Sequence, residues 1–266
     1  MKLKDKVAVV TGGGRGIGKA ICLAFAREGA SVIVASNVKA ENENVAEMLR
    51  KNGNEAFAYT VDTTDVEQVA GLAAEVKKRF SKLDILANNA GVVGKRAFTW
   101  EFDDKNWRRT MEINLYGTFY VTKALLPLII PQQKGRVINT ASISGKQGSP
   151  TNVAYAASKH GVIGLTRTLA LELCMLGLSG ITVNAVCPGV VNTGMLTGDG
   201  EILDEVSRLL GLTREQALKD KVLPMSAQRR LFEPEEIAEA FVYLASDDAK
   251  GITGQAINVC GGSVFY

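Results

Sequence analysis

Short apolar runs alternate with segments of helical periodicity along the whole chain. Seven runs, rich in Val, Ile and Ala, predict β-strands because apolar residues follow one another without a helical gap. Continuous runs of this kind are typical of parallel strands that are buried on both faces of a sheet. We predict strands at Lys6–Thr11, Ser31–Ser36, Ala56–Val61, Asp84–Asn88, Arg136–Ala141, Ile181–Val186 and Ala256–Val259.

Helices are predicted between the strands, where apolar residues recur at intervals of three and four. The third should begin with Thr64 as its N-cap, because Glu67 follows at the capping-box spacing. We predict helices at Gly16–Arg27, Lys39–Lys51, Thr64–Phe80, Asp104–Leu126, Ala154–Leu176, 201–209, 213–221 and Glu235–Ala245.

Strands that alternate with helices predict an α/β fold with right-handed crossovers. We expect a single Rossmann-type domain over residues 1–266: a three-layer sandwich in which a doubly wound parallel sheet of about seven strands carries helices on both faces. Residues 190–230 are the least regular part, and we expect them to form a lid over the substrate. Ligands of such folds bind beyond the carboxyl ends of the strands, where every motif described below falls.

Composition and charge exclude several classes of function. The 266 residues are 46% hydrophobic and 22% charged, and the net charge is only +3 with no basic block, so no nucleic-acid partner is expected. The longest apolar stretches fall short of the roughly 20 residues that a membrane span needs. Four scattered cysteines and one histidine indicate reduced thiols of a cytoplasmic protein and no metal site.

A glycine-rich segment follows the first strand and opens the first helix, in the pattern T-G-x-x-x-G-x-G between Thr11 and Gly18. Glycines allow a tight turn and let backbone N–H groups approach a pyrophosphate, which the helix N-terminus also attracts. The alternative is a simple glycine-rich turn between strand and helix.

The end of the second strand bears on the choice between NAD and NADP. An acidic residue there would accept a hydrogen bond from the ribose 2′-OH of NAD, whereas a basic surrounding suits the 2′-phosphate of NADP. Here Ser36 and Asn37 end the strand, Lys39 and Arg15 lie near, and Glu41 is the first acid. This pattern favours NADP and leaves NAD open.

Tyr155 and Lys159 are spaced to share one face of a predicted helix. A neighbouring ammonium should lower the pKa of the phenol, as a general acid/base requires. Ser142 follows the fifth strand, so its hydroxyl should lie at the same sheet edge and can hydrogen-bond a substrate carbonyl. The simpler alternatives are a surface Tyr/Lys pair and a loop or capping serine.

Together these motifs resemble the short-chain dehydrogenase/reductase family, whose order and spacing they follow over essentially the whole chain. The resemblance also includes Asn88-Asn89-Ala90-Gly91, Pro188-Gly189 and Asn114. It implies that Tyr155 exchanges the proton, Lys159 lowers its pKa and holds the ribose, and Ser142 orients the substrate. Asn114 should hold a water that leads protons to Lys159. The implied cofactor contacts are Gly12, Arg15, Gly16, Ile17, Gly18, Ser36, Asn37, Asp62, Thr63, Asn88, Ala90, Gly91, Tyr155, Lys159, Pro188, Gly189, Val191 and Thr193.

The implied activity is hydride transfer between NAD(P)(H) and a ketone or secondary alcohol, in a homotetramer or homodimer. Subfamily resemblances conflict: parts are similar to 3-oxoacyl-carrier-protein reductases and polyketide ketoreductases, others to 3-hydroxybutyrate and polyol dehydrogenases. A non-catalytic NADP sensor and a structural subunit are the alternative functions. Lys95, Arg96 and Lys146 can meet an anionic substrate, although solvated surface charge is the simpler interpretation.

Overall fold

The computed structural model describes residues 1–198 and 201–266, and a seven-stranded sheet forms its centre. All strands are parallel, in the order β3-β2-β1-β4-β5-β6-β7. The predicted sheet is confirmed, with each strand boundary within two residues of the expectation. The strands are β1 (Val7–Thr11), β2 (Ser31–Ser36), β3 (Ala56–Thr60), β4 (Ile85–Asn88), β5 (Gly135–Thr140), β6 (Ile181–Pro188) and β7 (Ala256–Val259).

Helices cover both faces of this sheet, as the doubly wound pattern predicts. On one face, Phe25 of the first helix and Phe241 of the last helix are fully buried against the sheet. On the other face, Leu72 and Leu125 are fully buried in the same way. Burial of these side chains stabilises both layers, at about 25 cal/mol per Å² of apolar surface. The helices are α1 (Gly16–Arg27), α2 (Lys39–Lys51), α3 (Val66–Phe80), α4 (Asp104–Met111), α5 (Gly117–Leu125), α6 (Val153–Met175), α7 (Gly194–Thr197), α8 (Ile202–Leu210), α9 (Arg214–Ala217) and α10 (Pro234–Ala245).

The start of α3 corrects one prediction. Asp65, not Thr64, is the N-cap, and its carboxylate accepts hydrogen bonds from the main-chain N–H groups of Glu67 and Gln68, both at 3.0 Å. The Thr64 hydroxyl instead donates to Asp62 Oδ1 at 2.8 Å. A carboxylate is the better cap because it also interacts favourably with the positive end of the helix dipole.

The predicted helix Asp104–Leu126 is interrupted. A π-helical turn at Glu112–Tyr116 separates α4 from α5, so the element comprises two helices with a widened turn between them. Such turns insert one extra residue and are frequent at functional sites. Asn114 lies within this turn and is fully buried.

Residues 190–230 contain short helices around a small apolar cluster of their own. Leu196, Leu203, Ala217 and Val222 are buried together, and Val191 pairs with Phe232 in an isolated parallel bridge. In the second predicted helix of this segment, α9 continues into a π-helical turn at Leu218–Val222.

The described helices include none that is both long and apolar enough to cross a membrane. All four cysteines are free: three are buried, and Cys174 on α6 is exposed.

Candidate active site and cofactor cleft

The glycine-rich loop lies where the strand order reverses, because β1 pairs with β2 on one side and with β4 on the other. Ligands of doubly wound sheets bind at this point. Gly12 has a φ of +62°, and a Cβ there would lie only 2.9 Å from Ala90 Cα. The loop therefore packs directly on the segment after β4, and glycine is needed both for the conformation and for the close approach.

Thr11 and Asn89 join these two loops, a role that sequence reasoning did not assign although both residues lie within the quoted motifs. Thr11 Oγ1 accepts hydrogen bonds from the main-chain N–H groups of Asn89 (3.0 Å) and Ala90 (3.1 Å). The Asn89 amide donates to the carbonyls of Thr11 (3.2 Å) and Gly12 (3.3 Å). These bonds fix the floor of the cleft.

The N-terminus of α1 fits a pyrophosphate. In the part of the chain that the structure describes, the side chain of the N-cap Arg15 makes no hydrogen bond to the first N–H groups of this helix. The first turn also contains no acidic residue that could accept from them. Unsatisfied N–H groups and the helix dipole attract an anion. Gly16 and Ile17 begin the helix, and a Cβ at Gly18 would overlap the Gly12 carbonyl oxygen. Glycine at position 18 thus lets the start of the helix pack directly against the loop.

The end of β2 is more engaged than the sequence suggested. The Ser36 hydroxyl donates to Asn42 Oδ1 at 2.5 Å, so its proton is used within the protein and is not free for a phosphate. Asn37 is exposed. Arg15 Nη1 lies 3.9 Å from Glu41 Oε1, and the arginine side chain is 81% exposed. A cation and an acid therefore lie together where we expect the ribose of the cofactor to bind.

The remaining expected cofactor contacts lie at the same edge, with one exception. Asp62 and Thr63 follow β3, and a Cβ at Gly16 would lie 3.4 Å from Thr193, which follows β6 together with Pro188, Gly189 and Val191. The side chain of Asn88 instead points into the interior, where its amide donates to Thr122 Oγ1 (2.9 Å) and Asn139 Oδ1 (2.8 Å). The Asn88 side chain therefore fixes the end of β4 from inside the protein.

Ser142, Tyr155 and Lys159 come together beyond β5. Ser142 caps a short 3₁₀ turn, accepting from the Ser144 N–H at 3.1 Å, and also hydrogen-bonds the Tyr155 phenol. Lys159 Nζ lies 5.6 Å from the centre of the Tyr155 ring and donates to the Thr140 carbonyl at 2.7 Å. Tyr155 is half-buried, whereas Lys159 is only 3% exposed.

The electrostatics of this set correct the simple expectation that Lys159 lowers the pKa of Tyr155. Burial raises the pKa of the Tyr155 phenol, while the hydrogen bond with Ser142 and the charge of Arg96 oppose that rise. Burial lowers the pKa of Lys159 to about 8. In the protein without cofactor the lysine therefore loses its proton more readily than a free lysine, and the cation that acts on the pKa of the phenol is Arg96.

Comparison with known proteins decides the family. The family model described as short chain dehydrogenase matches residues 6–202. The chain belongs to the short-chain dehydrogenase/reductase family. As a member, it is an NAD(P)-dependent oxidoreductase.

Its relatives include named ketoreductases. The 3-oxoacyl-[acyl-carrier-protein] reductase of Thermotoga maritima is 36% identical, with 100% of each chain covered. A putative ketoacyl reductase of Streptomyces coelicolor is 39% identical, with 98% of each chain covered. A solved structure of an actinorhodin polyketide ketoreductase variant with NADPH superimposes with a TM-score of 0.91, at 38% identity and 98% coverage of each chain. The fold is thus that of a dehydrogenase/reductase with ketoreductase relatives.

Asn114 connects the cleft of this dehydrogenase/reductase to the helix that carries Tyr155. Its Oδ1 accepts from the Val92 N–H (2.8 Å), and its Nδ2 donates to the Val92 carbonyl (2.9 Å) and Ser158 Oγ (3.0 Å). Ser158 in turn donates to the Tyr155 carbonyl at 2.8 Å. The side chain therefore positions the loop after β4 against α6, and the implied water path to Lys159 stays a prediction.

Two basic residues that sequence reasoning treated as surface charge are partly removed from solvent. Lys146 Nζ donates to the carbonyls of Ala256 (2.6 Å) and Tyr266 (2.7 Å). Arg96 is half-buried, and its charge reaches Tyr155. No spacing signal identifies either residue, because their surroundings come from distant parts of the chain.

Proposed function

We propose that this oxidoreductase reduces a ketone, or oxidises the corresponding secondary alcohol, with Tyr155 as the general acid/base. The observation that carries the proposal is the joint placement of Tyr155, Ser142 and Lys159 beside the glycine loop at the switch point of the sheet. A nicotinamide cofactor, when bound, supplies or accepts the hydride. The remaining chemistry is a proton transfer to or from the substrate oxygen.

Ser142 and Tyr155 are suited to that proton transfer. Since burial raises the pKa of Tyr155, the phenol keeps its proton at neutral pH, which is the state that a donor needs for ketone reduction. The Ser142 hydroxyl stands beside it as a second donor to the oxygen on which negative charge develops. We expect Lys159 to hold the ribose and to replenish the proton. These features support the reductive direction.

We propose NADP as the preferred cofactor. Arg15 borders the ribose-recognition region, no acid ends β2, and the actinorhodin ketoreductase neighbour was solved with NADPH. Glu41 is the counterargument, because its carboxylate shares this region with Arg15. The proposed cofactor contacts are the separate cleft residues named above, of which Gly12 is the first and Thr193 the last along the chain.

The proposed substrate is a 3-oxoacyl, β-keto or hydroxy-acid compound, in line with the names of the ketoreductase relatives. A single domain with a lid at residues 190–230, a tetrameric or dimeric assembly and a cytoplasmic location remain predictions. A cofactor sensor or structural subunit is the competing function. The compact acid/base set, which a sensor does not need, favours the enzyme.

The test is the steady-state oxidation of NADPH, and separately of NADH, against β-keto esters, diketones, keto sugars and acetoacetate. We expect turnover with at least one ketone and a higher kcat/KM for NADPH. Binding of either cofactor without turnover of any ketone would support the sensor instead. A higher kcat/KM for NADH would refute the cofactor preference and leave the enzyme class standing.

A further inference from the structure

The turn before the helix that carries Tyr155 contains a strained residue. Thr151, four residues earlier in the chain, has a φ of +64°. This left-handed conformation is rare and unfavourable for a β-branched side chain. Asn152 follows as the N-cap of α6, but its side chain makes no capping hydrogen bond. The start of α6 therefore depends on contacts from other parts of the chain, and strained residues persist only where such contacts hold them.

Arg96 and Ala97, in the segment between β4 and α4, supply contacts that hold this turn. Arg96 Nη1 donates to the Pro150 carbonyl and to Thr151 Oγ1, each at 3.3 Å. The Ala97 N–H donates to the Thr151 carbonyl at 3.0 Å. These three hydrogen bonds grip the turn through its side chain and through two of its carbonyls, so they oppose a rotation of Thr151 to a negative φ.

The main chain of Arg96 is in turn fixed by α8. Its N–H donates to Glu205 Oε2 at 3.3 Å, and its carbonyl accepts from Arg208 Nη2 at 3.2 Å. Arg208 Nη2 also donates to Glu205 Oε2 at 2.8 Å, and the Glu205 side chain is only 17% exposed. Arg96 is therefore bonded through its N–H, its carbonyl and its side chain, and it cannot shift without breaking one of these bonds.

The Arg96 side chain is buried so as to support the turn. Nε is buried and bonds to no acceptor among the described residues. A buried donor without a partner is rare because it costs free energy, so its presence needs an explanation. The described residues give this side chain two hydrogen bonds, and both go to Pro150 and Thr151. An unsatisfied donor and a strained residue thus lie side by side, directly before the helix of the proposed proton donor.

We propose that Arg96 is a positioning residue, which holds the strained turn at Thr151 and thereby places Tyr155 for proton transfer. The inference rests on the proposed function, in which Tyr155 is the proton donor. Proton transfer requires the donor to lie within about 2.6–3.2 Å of the substrate oxygen. A displacement of about 1 Å can lower the rate about 100-fold. Relaxation of the turn would move the first residues of α6, and Tyr155 with them.

The test measures Arg96→Gln and Thr151→Gly, singly and together, in the steady-state reduction of a ketone that the wild type accepts. Arg96→Gln should lower kcat at least about 10-fold, because Tyr155 is misplaced. The KM for NADPH should change less than about twofold, because other segments form the cofactor cleft. Glycine adopts the left-handed conformation without strain, so adding Thr151→Gly should raise the kcat of Arg96→Gln at least about threefold. If the two substitutions lower kcat independently, with no recovery in the double variant, the inference is wrong.

Gln133→Gly is the matched control for this recovery. Gln133 also has a left-handed φ, of +53°, but it lies before β5, at the sheet edge opposite the cleft. Added to Arg96→Gln, it should leave kcat unchanged, and a recovery equal to that from Thr151→Gly would overturn the inference in favour of a general gain in stability.

Arg96→Lys separates the position of this side chain from its charge. Lysine keeps the charge but lacks the planar guanidinium, so we expect less than half of the wild-type kcat. Full wild-type kcat in Arg96→Lys would show that the charge alone matters and would overturn the inference. Lys95→Gln removes an adjacent exposed charge and should retain the wild-type kcat, and a loss equal to that of Arg96→Gln would contradict a specific role of Arg96.

Hydrogen–deuterium exchange gives a readout that does not depend on turnover. The Ala97 N–H donates to Thr151, the Asn152 N–H to the Ser149 carbonyl at 3.1 Å, and the Ala156 N–H to the Asn152 carbonyl at 3.0 Å. In Arg96→Gln these three amides should exchange at least about 10-fold faster. The Ala141 amide, bonded to the Val186 carbonyl at 2.8 Å, should exchange at an unchanged rate and so report an intact sheet.

The two readouts distinguish the inference from the proposed function. If the wild type reduces ketones while Arg96→Gln keeps its kcat and its slow exchange, the inference fails and the proposed function stands. If the wild type reduces no ketone but Arg96→Gln speeds the exchange at the start of α6, the proposed function fails and the support of the turn by Arg96 remains.

Discussion

Replacing Lys159 by methionine should stabilise the cofactor-free protein at neutral pH. Lys159 is 3% exposed, and burial lowers its pKa from 10.5 to about 8. A depressed lysine pKa means that folding disfavours the ammonium, at 1.36 kcal/mol per pKa unit, which amounts to about 3 kcal/mol at pH 7. Methionine fills similar space without charge but leaves the Thr140 carbonyl without its 2.7 Å partner, a loss of about 1 kcal/mol. The net expected gain is about 2 kcal/mol.

The pH dependence gives this prediction its sign. The free-energy cost that the wild type pays for burying Lys159 is fully present below pH 8, where the lysine is charged in the folded and in the unfolded protein. This cost falls between pH 8 and 10.5, where only the unfolded chain holds the proton. Urea unfolding of both proteins at equal concentration should therefore show the stabilisation at pH 7 and almost none at pH 10. Lys95→Met, at an exposed position, should change the free energy of unfolding by less than about 0.5 kcal/mol. The reasoning would be refuted if Lys159→Met were less stable than the wild type at pH 7. It would also be refuted if the difference in the free energy of unfolding between the two proteins did not shrink from pH 7 to pH 10.

Three further substitutions test the cleft. Tyr155→Phe should reduce turnover of any substrate found by about a thousandfold while a fluorescence titration shows nearly unchanged NADP affinity; substantial residual turnover would exclude Tyr155 as the proton donor. Gly18→Ala places a Cβ onto the Gly12 carbonyl oxygen and should weaken cofactor binding at least about 10-fold, a penalty of 1–3 kcal/mol, whereas Gly148→Ala, with nothing within 4 Å, should not; similar affinities would show that the glycine loop is not the cofactor site. Ser36→Asp should shift the NADPH/NADH ratio of kcat/KM towards NADH about 10-fold, and an unchanged ratio would mean that Ser36 does not face the ribose.

Local patterns in the sequence determined the sheet and the place of the site. Seven apolar runs and the helical periodicity between them predicted each strand to within two residues, because strands buried on both faces leave a strong signal. The glycine spacing between Thr11 and Gly18 and the interval from Tyr155 to Lys159 also predicted what would lie at the carboxyl edge. These patterns involve only residues that are close together in the chain, and the regular periodicity of helices and strands fixes the direction in which their side chains point.

Only the tertiary structure decided what distant residues do to one another. Asp65 rather than Thr64 caps α3, and the π-helical turn around Asn114 interrupts a segment whose sequence reads as one helix. The pKa of Tyr155 rises because surrounding layers bury it, and the charge that opposes this rise belongs to Arg96, nearly sixty residues away in the chain. Burial, desolvation and pairing depend on groups brought together from several elements, so no local pattern contains them.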